Sequence, residues 1–148
     1  MKLLSFLLTL LLIVGCSQIT LEPSDFAWPI ETVLNVDDEG FIQENRYSLS
    51  TNVKELFIAE TQDSSTYLNA SVRVIRDTKG FYYMTSTAFK NVYLFNAEEG
   101  KLVLKNKIFV SEFGLDLPAF NQRKPYVEVL DGEEHVVFLS PSGTKGEE

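Results

Sequence analysis

Short apolar runs alternate with acidic, glycine-bearing segments between residues 32 and 139. Pairs of runs flank the segments 37–40, 76–80, 96–100 and 131–134. The runs are rich in Val, Ile, Tyr and Phe, whose branched or aromatic side chains suit a pleated surface. Gly, Asn and Asp in the segments between them suit turns with positive φ. The pattern predicts an all-β fold, an antiparallel meander of about four hairpins.

One segment departs from the strand pattern. In residues 52–60, Asn52 can cap a helix and Glu55 follows three positions later. Apolar Val53, Leu56 and Phe57 fall at helical spacing. We expect one short helix near 52–60, with a continuing strand as the alternative.

The faces of the runs indicate where the strands lie. Residues 81–85, 92–95 and 136–139 are apolar on both faces, as in strands between two layers. Residues 101–108 alternate Lys with Leu102, Leu104 and Ile108, which is typical of an outer strand with one solvated face. Residues 72–108 are therefore predicted to form four consecutive antiparallel strands, ordered from inner to outer.

The amino terminus has the pattern of a sorting signal. Lys2 precedes a nearly continuous apolar run over residues 3–14. This run is shorter than the roughly 20 residues that a membrane-spanning helix needs, but it fits the apolar region of a secretory signal peptide, about 7–15 residues long. A buried core helix is disfavoured because the run has no polar face. Residues 1–15 are predicted to be a signal peptide.

The residues that end this signal, Leu12-Ile-Val-Gly-Cys16, resemble the lipobox of bacterial lipoproteins, and Cys16 is the sole cysteine. The resemblance implies that Cys16 becomes the first mature residue and carries a diacylglyceryl thioether and an N-acyl chain such as palmitate. Two or more acyl chains suffice for stable anchoring. Ser17 implies sorting to the outer membrane, facing the periplasm or the cell surface. An ordinary signal peptide with an unrelated Cys16 is the alternative.

A second resemblance concerns residues 72–108. Their order of apolar strand, acidic-Gly turn, aromatic strand, Asn91-Val-Tyr-Leu-Phe95, Glu-Gly-Lys turn and Lys-rich strand resembles one blade of a lipid-anchored, six-bladed NHL-like β-propeller. Residues 126–139 would begin a second blade. Because a propeller closes with about 4–8 blades, the strands could instead close as a small barrel or sandwich. We expect the latter, since open blades would expose apolar faces.

Composition and charge limit the possible domain organisation of the chain and the kinds of partner it can bind. Residues 16–25 are predicted to be the lipidated Cys and a polar tether, residues 26–140 a β domain and residues 141–148 a flexible tail. The net charge of −8 argues against nucleic acid, which needs a basic stripe. An anionic body is also repelled by an anionic membrane, so the domain is expected to stand clear of the headgroups.

The chain offers few groups for catalysis. His135 is the sole histidine, and no Gly-x-Ser-x-Gly segment is present, so we expect His135 to be a surface residue at the start of a strand. The acidic clusters 37–39 and 131–134 do not match a calcium-binding loop. We therefore expect a protein that is not an enzyme and holds no metal or cofactor.

The connection over residues 111–125 combines basic and aromatic residues on an acidic protein. The candidate partner-binding residues are Phe120, Gln122, Arg123, Lys124 and Tyr126. The alternative is a structural crossover in which Phe120 fills the core and the two cations are merely solvated.

The expected function is that of a membrane-anchored envelope lipoprotein, a non-enzymatic module that binds an envelope protein or polymer. One alternative is a carrier of a small apolar ligand in a β-barrel, which a buried cavity above roughly 300 Å³ would favour. The other is a truncated β-propeller lipoprotein.

Overall fold

The computed structural model describes residues 28, 30–45 and 48–145. The predicted signal peptide, Cys16 and the tether over residues 16–25 lie outside the described residues. Helix α1 (Lys54–Thr61) lies between β3 and β4. The strands are β1 (Thr32–Asn35), β2 (Phe41–Glu44), β3 (Leu49–Asn52), β4 (Ser71–Arg76), β5 (Tyr82–Thr85), β6 (Asn91–Glu98), β7 (Lys101–Phe109), β8 (Pro118–Arg123), β9 (Tyr126–Asp131), β10 (Glu134–Ser140) and β11 (Gly143–Thr144).

The strands form antiparallel sheets, which confirms the all-β prediction. One sheet has the order β1-β4-β5-β6-β7, a second has the order β11-β10-β9-β8, and β2 pairs with β3. The predicted hairpins β4–β5, β6–β7 and β9–β10 are present. The four consecutive strands β4 to β7 occur in the predicted order, and β7 lies at the sheet edge.

The first predicted hairpin is wrong. The turn at residues 37–40 reverses the chain, but β1 pairs with β4, with Thr32 opposite Val74, whereas β2 pairs with β3. The predicted helix is confirmed as α1. The side chain of Asn52 accepts a hydrogen bond from the N–H of Lys54 at 3.0 Å, satisfying one of the donors at the helix start.

The two larger sheets share one hydrophobic core. Strand β4 approaches β8, and β7 approaches β11. Both sheets contribute fully buried side chains, for example Val74 and Leu94 from the first sheet and Val129 and Leu139 from the second. Among the described strands, each of the two sheets has two ends and does not close on itself. The arrangement is a two-layer packing of open sheets.

Residues 28 and 30–35 connect the two sheets at their edges. Ile30 forms an antiparallel bridge with Asn121 of β8, and β1 then pairs with β4. The N–H of Trp28 donates to the carbonyl of Arg76 at 3.0 Å. Trp28 is fully buried, and its ring meets Tyr82 edge to face. This segment therefore covers the edge of β8 before it joins the first sheet.

The antiparallel pairing gives the domain two distinct ends. Trp28 lies beside the last residue of β4, and the turns after β4, β6, β8 and β10 share that end, which we call the Trp28 end. The connections after β1, β5, β7 and β9 lie at the opposite end of the strands. We call this the Phe113 end, after a residue in the connection 110–117.

One turn geometry occurs twice, forty positions apart. In the segments 37–41 and 77–81, each of sequence Asp-x-x-Gly-Phe, the Asp Oδ1 accepts hydrogen bonds from the N–H groups two and four residues later, at 2.8 to 2.9 Å. The glycine has φ of +84° in one turn and +91° in the other, a conformation that favours Gly. The two turns differ in burial, since Asp37 is exposed and Asp77 is buried.

Two details differ from the sequence expectations. In β7, the register shifts so that Leu94 lies opposite Asn106 and Phe95 opposite Leu104, leaving one extra residue between them. Because the bulge turns the side chains on its two sides to opposite faces of the sheet, Leu104 is half exposed whereas Ile108 is buried. At the carboxyl side, β11 pairs with β10, so the sheet continues beyond the predicted domain boundary at residue 140.

Candidate functional site

The five candidate partner-binding residues do not form one surface. Their segment is not a loop, because residues 118–123 form strand β8 and only the turn after it is irregular. Phe120 is 5% exposed and belongs to the core. The side chain of Gln122 donates to the carbonyl of Arg76 at 3.0 Å and so ties β8 to the first sheet. Arg123, Lys124 and Tyr126 reach the surface at the Trp28 end.

A polar cluster surrounds Glu128 on β9. Its Oε2 accepts hydrogen bonds from Arg123 Nε at 3.0 Å and from Asn121 Nδ2 at 3.1 Å. Its Oε1 lies 3.1 Å from His135 Nδ1. The His135 ring also packs on Phe138, with centroids 4.5 Å apart. The cluster joins β8, β9 and β10.

The electrostatics of this cluster favour an ionised carboxylate. Burial acts to raise the pKa of Glu128, but the hydrogen bonds from Arg123, His135 and Asn121 and the charge of Arg123 outweigh it and hold the pKa below its usual value. The carboxylate is thus engaged by three neighbouring strand side chains. His135 is exposed at the start of β10, in the position expected from the sequence.

Basic side chains gather at the Trp28 end. Exposed lysines lie in or beside three separate turns, and Lys145, just after β11, lies over the Tyr126 ring at 5.1 Å. The basic residues at this end are Arg76, Lys79, Lys101, Arg123, Lys124 and Lys145. The acidic ones are Asp77, Glu98, Glu99 and Glu128, together with the buried Glu44 at the end of β2.

The connection between β7 and β8 forms an ordered loop at the Phe113 end. Its Leu115 is fully buried and exchanges backbone hydrogen bonds with the 86–90 connection, accepting from Ala88 at 2.7 Å and donating to Phe89 at 2.9 Å. The carboxylate of Asp131 accepts from the N–H groups of Asp116 and Leu117. Backbone pairing and a buried leucine therefore fix the loop on both sides.

Large apolar side chains on this loop face solvent. Phe113 is 91% exposed, and Phe109 and Leu117 are 61% and 62% exposed. The sequence did not single these residues out, because Phe and Leu in an apolar chain look like core residues. The flanking Glu112, Gly114 and Asp116 were the available signal for a turn at the surface.

The Phe113 end is acidic. Besides Glu112 and Asp116 in the loop, the exposed acidic residues there are Asp37, Asp38, Glu39, Glu133 and Glu134. The exposed Lys90 is a cation on the same side. The two ends of the domain thus carry opposite charge, although the whole chain is anionic.

Two clefts lie along the side of the domain, and a third, open groove of about 400 Å³ lies at the Phe113 end between Phe57, Leu68 and Ala88. An apolar cleft of about 130 Å³ is lined by Val53, Leu56, Met84, Phe95 and Leu102, among others. It is smaller than the roughly 300–1,000 Å³ of most small-molecule pockets. A neighbouring groove of about 460 Å³, between β3 and the β6–β7 turn, opens to solvent. The first cleft is too small and the second too open to form a buried cavity of that size.

Residues 28, 30–45 and 48–145 contain no group of three or more His, Cys, Asp or Glu arranged to hold a metal ion. Among the same residues, no helix has the length and hydropathy to cross a bilayer. Comparisons of the chain with protein-family models, with curated proteins and with solved structures give no match.

Proposed function

We propose that the protein is a lipid-anchored envelope lipoprotein that acts by binding a partner protein, not by catalysis. In this proposal, acylated Cys16 holds the chain at the membrane, and the loop at the Phe113 end contacts the partner. The observation that carries it is the 91% exposure of Phe113 on a loop fixed by backbone hydrogen bonds.

The rigidity of the loop supports recognition. An aromatic side chain that a fixed backbone holds in solvent loses little conformational freedom when it enters a pocket. Aromatic residues are frequent among the side chains that contribute most to interface affinity. Phe109, the last residue of β7, and Leu117 of the loop are further exposed apolar residues at the same end of the domain. Exposed apolar patches on a protein surface mark interaction sites.

The charges beside Phe113 indicate the chemistry of the partner. Glu112 precedes it and Asp116 follows three positions later, and both are exposed. Complementary charges at an interface rim raise the association rate and exclude wrong partners. The proposed partner is therefore an envelope protein with an apolar pocket bordered by Lys or Arg.

The position of Trp28 supports presentation away from the membrane. Trp28 lies at the end of the strands opposite the loop, and eleven residues, 17–27, separate it from Cys16. Fully extended, they would reach about 36–40 Å at most. An anchor at Cys16 would thus hold the Trp28 end towards the membrane and leave the loop at the Phe113 end farther from it.

The anchor is tested by mass spectrometry of the mature amino terminus from a bacterial host. We expect a chain that begins at Cys16 with diacylglyceryl and N-acyl masses, and a Cys16→Ser variant that leaves the membrane fraction. A Cys16→Ser variant that stays in the membrane like the parent would contradict the anchor.

The loop is tested by replacing Phe113 with photoreactive p-benzoylphenylalanine in cells. We expect one discrete protein adduct, which is lost in the Glu112→Lys/Asp116→Lys background. The same photoreactive residue at Glu99, an exposed position in the Trp28 end, is the control. Adducts of the same pattern from both positions would remove the proposed role of the loop.

A further inference from the structure

We infer that the Trp28 end is a docking surface for the anionic lipid headgroups of the membrane that holds the protein. The inference rests on the proposed lipid anchor at Cys16 for its biological setting. It modifies the expectation, drawn from net charge, that the domain stands clear of the headgroups. The net charge of −8 averages over two ends of opposite sign.

The topology brings the cations together. Lys79 lies in the turn after β4, Lys101 follows the turn after β6, and Lys124 lies in the turn after β8. All three side chains are exposed. Because the strands before these turns run in the same direction, the lysines project from one end of the domain although they are far apart in sequence.

Most acidic groups at this end are already engaged. Asp77 is 2% exposed and accepts hydrogen bonds from two backbone N–H groups and from the Tyr83 hydroxyl. Glu98 pairs with Lys105, and Glu128 pairs with Arg123. Glu99 is the remaining exposed acidic residue among those described at this end. Among the described residues, the outward charge of the Trp28 end is therefore positive.

The opposite end reinforces this orientation. Its exposed acidic residues, which include Glu112 and Asp116, are repelled by an anionic surface, whereas the lysines of the Trp28 end are attracted. Such attraction acts within a Debye length, about 8 Å at physiological ionic strength. It therefore orients the domain only when the Trp28 end is close to the lipid.

The place where the chain enters the domain favours lipid over another anion. Trp28 is the described residue closest in sequence to Cys16, and it lies at the same end as Lys79 and Lys124. An anchor at Cys16 keeps these lysines within the reach of the connecting residues. The high local concentration of headgroups then makes a modest attraction effective.

The experiment uses Trp28, the sole tryptophan, as the reporter. The chain that begins at Cys16, produced without acylation, is coupled through this sole thiol to a maleimide lipid in vesicles that contain a nitroxide on the headgroup. Quenching of Trp28 fluorescence is compared in phosphatidylcholine vesicles with and without about one third phosphatidylglycerol. We expect stronger quenching with phosphatidylglycerol, and its loss at about 1 M salt, where the Debye length falls to about 3 Å.

Charge reversal identifies the surface. Each of Lys79→Glu and Lys124→Glu should lower the ratio of docked to undocked domains about 5-fold or more. Lys90→Glu, the same change of charge at the Phe113 end, is the matched control and should have little effect. Equal quenching in both vesicle types, or equal effects of Lys90→Glu and Lys124→Glu, would overturn the inference.

The chemical coupling separates this result from the proposed function. If mass spectrometry finds no acyl groups on Cys16 but the quenching depends on phosphatidylglycerol and on Lys124, the anchor fails and the docking surface stands. If Cys16 is acylated but the quenching changes neither with phosphatidylglycerol nor with Lys124→Glu, the anchor stands and the docking surface fails.

Discussion

The carboxylate of Glu31 accepts a hydrogen bond from the backbone N–H of Phe120 at 2.8 Å, across 89 positions of sequence. Its other oxygen pairs with Arg73 of β4. One side chain thus satisfies a donor on the edge of β8 and a cation on the first sheet. The edge of β8 would otherwise present an unpaired backbone group.

We expect Glu31→Ala to lower the free energy of unfolding by about 2–3 kcal/mol, because it leaves the Phe120 N–H and the Arg73 guanidinium without this acceptor in a partly buried site. Glu31→Gln keeps a neutral acceptor and should cost less. Urea denaturation measures both. Glu39→Ala, at an exposed acidic position, is the control, and an equal loss in that variant would contradict the role of Glu31.

The paired Asp turns predict unequal effects of one substitution. Asp77→Ala removes acceptors from two backbone N–H groups and from the buried Tyr83 hydroxyl, so we expect a loss of about 2–4 kcal/mol. Asp37→Ala removes the corresponding backbone bonds in a solvent-exposed turn, where water replaces them, and should cost about 1 kcal/mol. Thermal and urea unfolding would show the difference. Equal losses in the two variants would mean that the burial of Asp77 does not increase the contribution of its hydrogen bonds to the free energy of unfolding.

Two tyrosines predict a loss of stability at alkaline pH. Burial, together with the neighbouring carboxylates, Asp77 for Tyr83 and Glu60 for Tyr93, raises the pKa of both phenols well above the usual value for tyrosine. In the unfolded chain a tyrosine ionises near pH 10. The folded state therefore binds more protons above that pH, and the free energy of unfolding falls as the pH rises beyond about 10.

The slope of that fall identifies the groups. Tyr93→Phe and Tyr83→Phe should each make the decline between about pH 10 and 11.5 shallower, whatever their effect at neutral pH. Urea denaturation over this range measures the slope. Tyr67→Phe is the control, since the Tyr67 hydroxyl bonds to an exposed carbonyl. Unchanged slopes in both buried variants would contradict the assignment.

Gly114 is predicted to hold the loop that carries Phe113. Its φ is +91°, and a Cβ there would lie 2.7 Å from the carbonyl oxygen of Ala88. Gly114→Ala should therefore destabilise the protein by about 2 kcal/mol or more and speed hydrogen exchange at Leu115. Gly100→Ala, with φ of +77° and open space around it, should cost only about 1 kcal/mol. Similar losses at both positions would argue against close packing of the loop.

The sequence predicted those elements whose signals are local. The hairpins β4–β5, β6–β7 and β9–β10 combine β-branched or aromatic runs with short turns, and neighbouring strands pair with each other. Helix α1 was predicted from local signals, the spacing of its apolar residues and Asn52, whose side chain accepts from the N–H of Lys54, although the N-cap position itself is Val53. The pairing of β1 with β4 involves residues about forty positions apart and has no local signature, so the first hairpin was predicted wrongly.

Strand β8 and the Phe113 loop show two other limits. In β8, the main-chain carbonyls of Trp28 and Arg76 accept hydrogen bonds from the Gln122 amide. Because a polar residue fills this position, the strand has no clear apolar alternation, and its residues were predicted to be part of a connection. In the loop, Leu115 is buried and Phe113 is exposed, although both are large and apolar. Only the position of the 86–90 connection decides which of them is covered.

The pairing of β1 has a mechanical consequence. Tension along the axis of β1 loads its hydrogen bonds to β4 together, in shear, because the two strands lie antiparallel from the Thr32–Val74 pair to the Asn35–Ser71 pair. Bonds loaded together in shear resist rupture better than the bonds of a hairpin that opens one pair at a time. A pull in this direction is therefore opposed by the whole of the β1–β4 pairing.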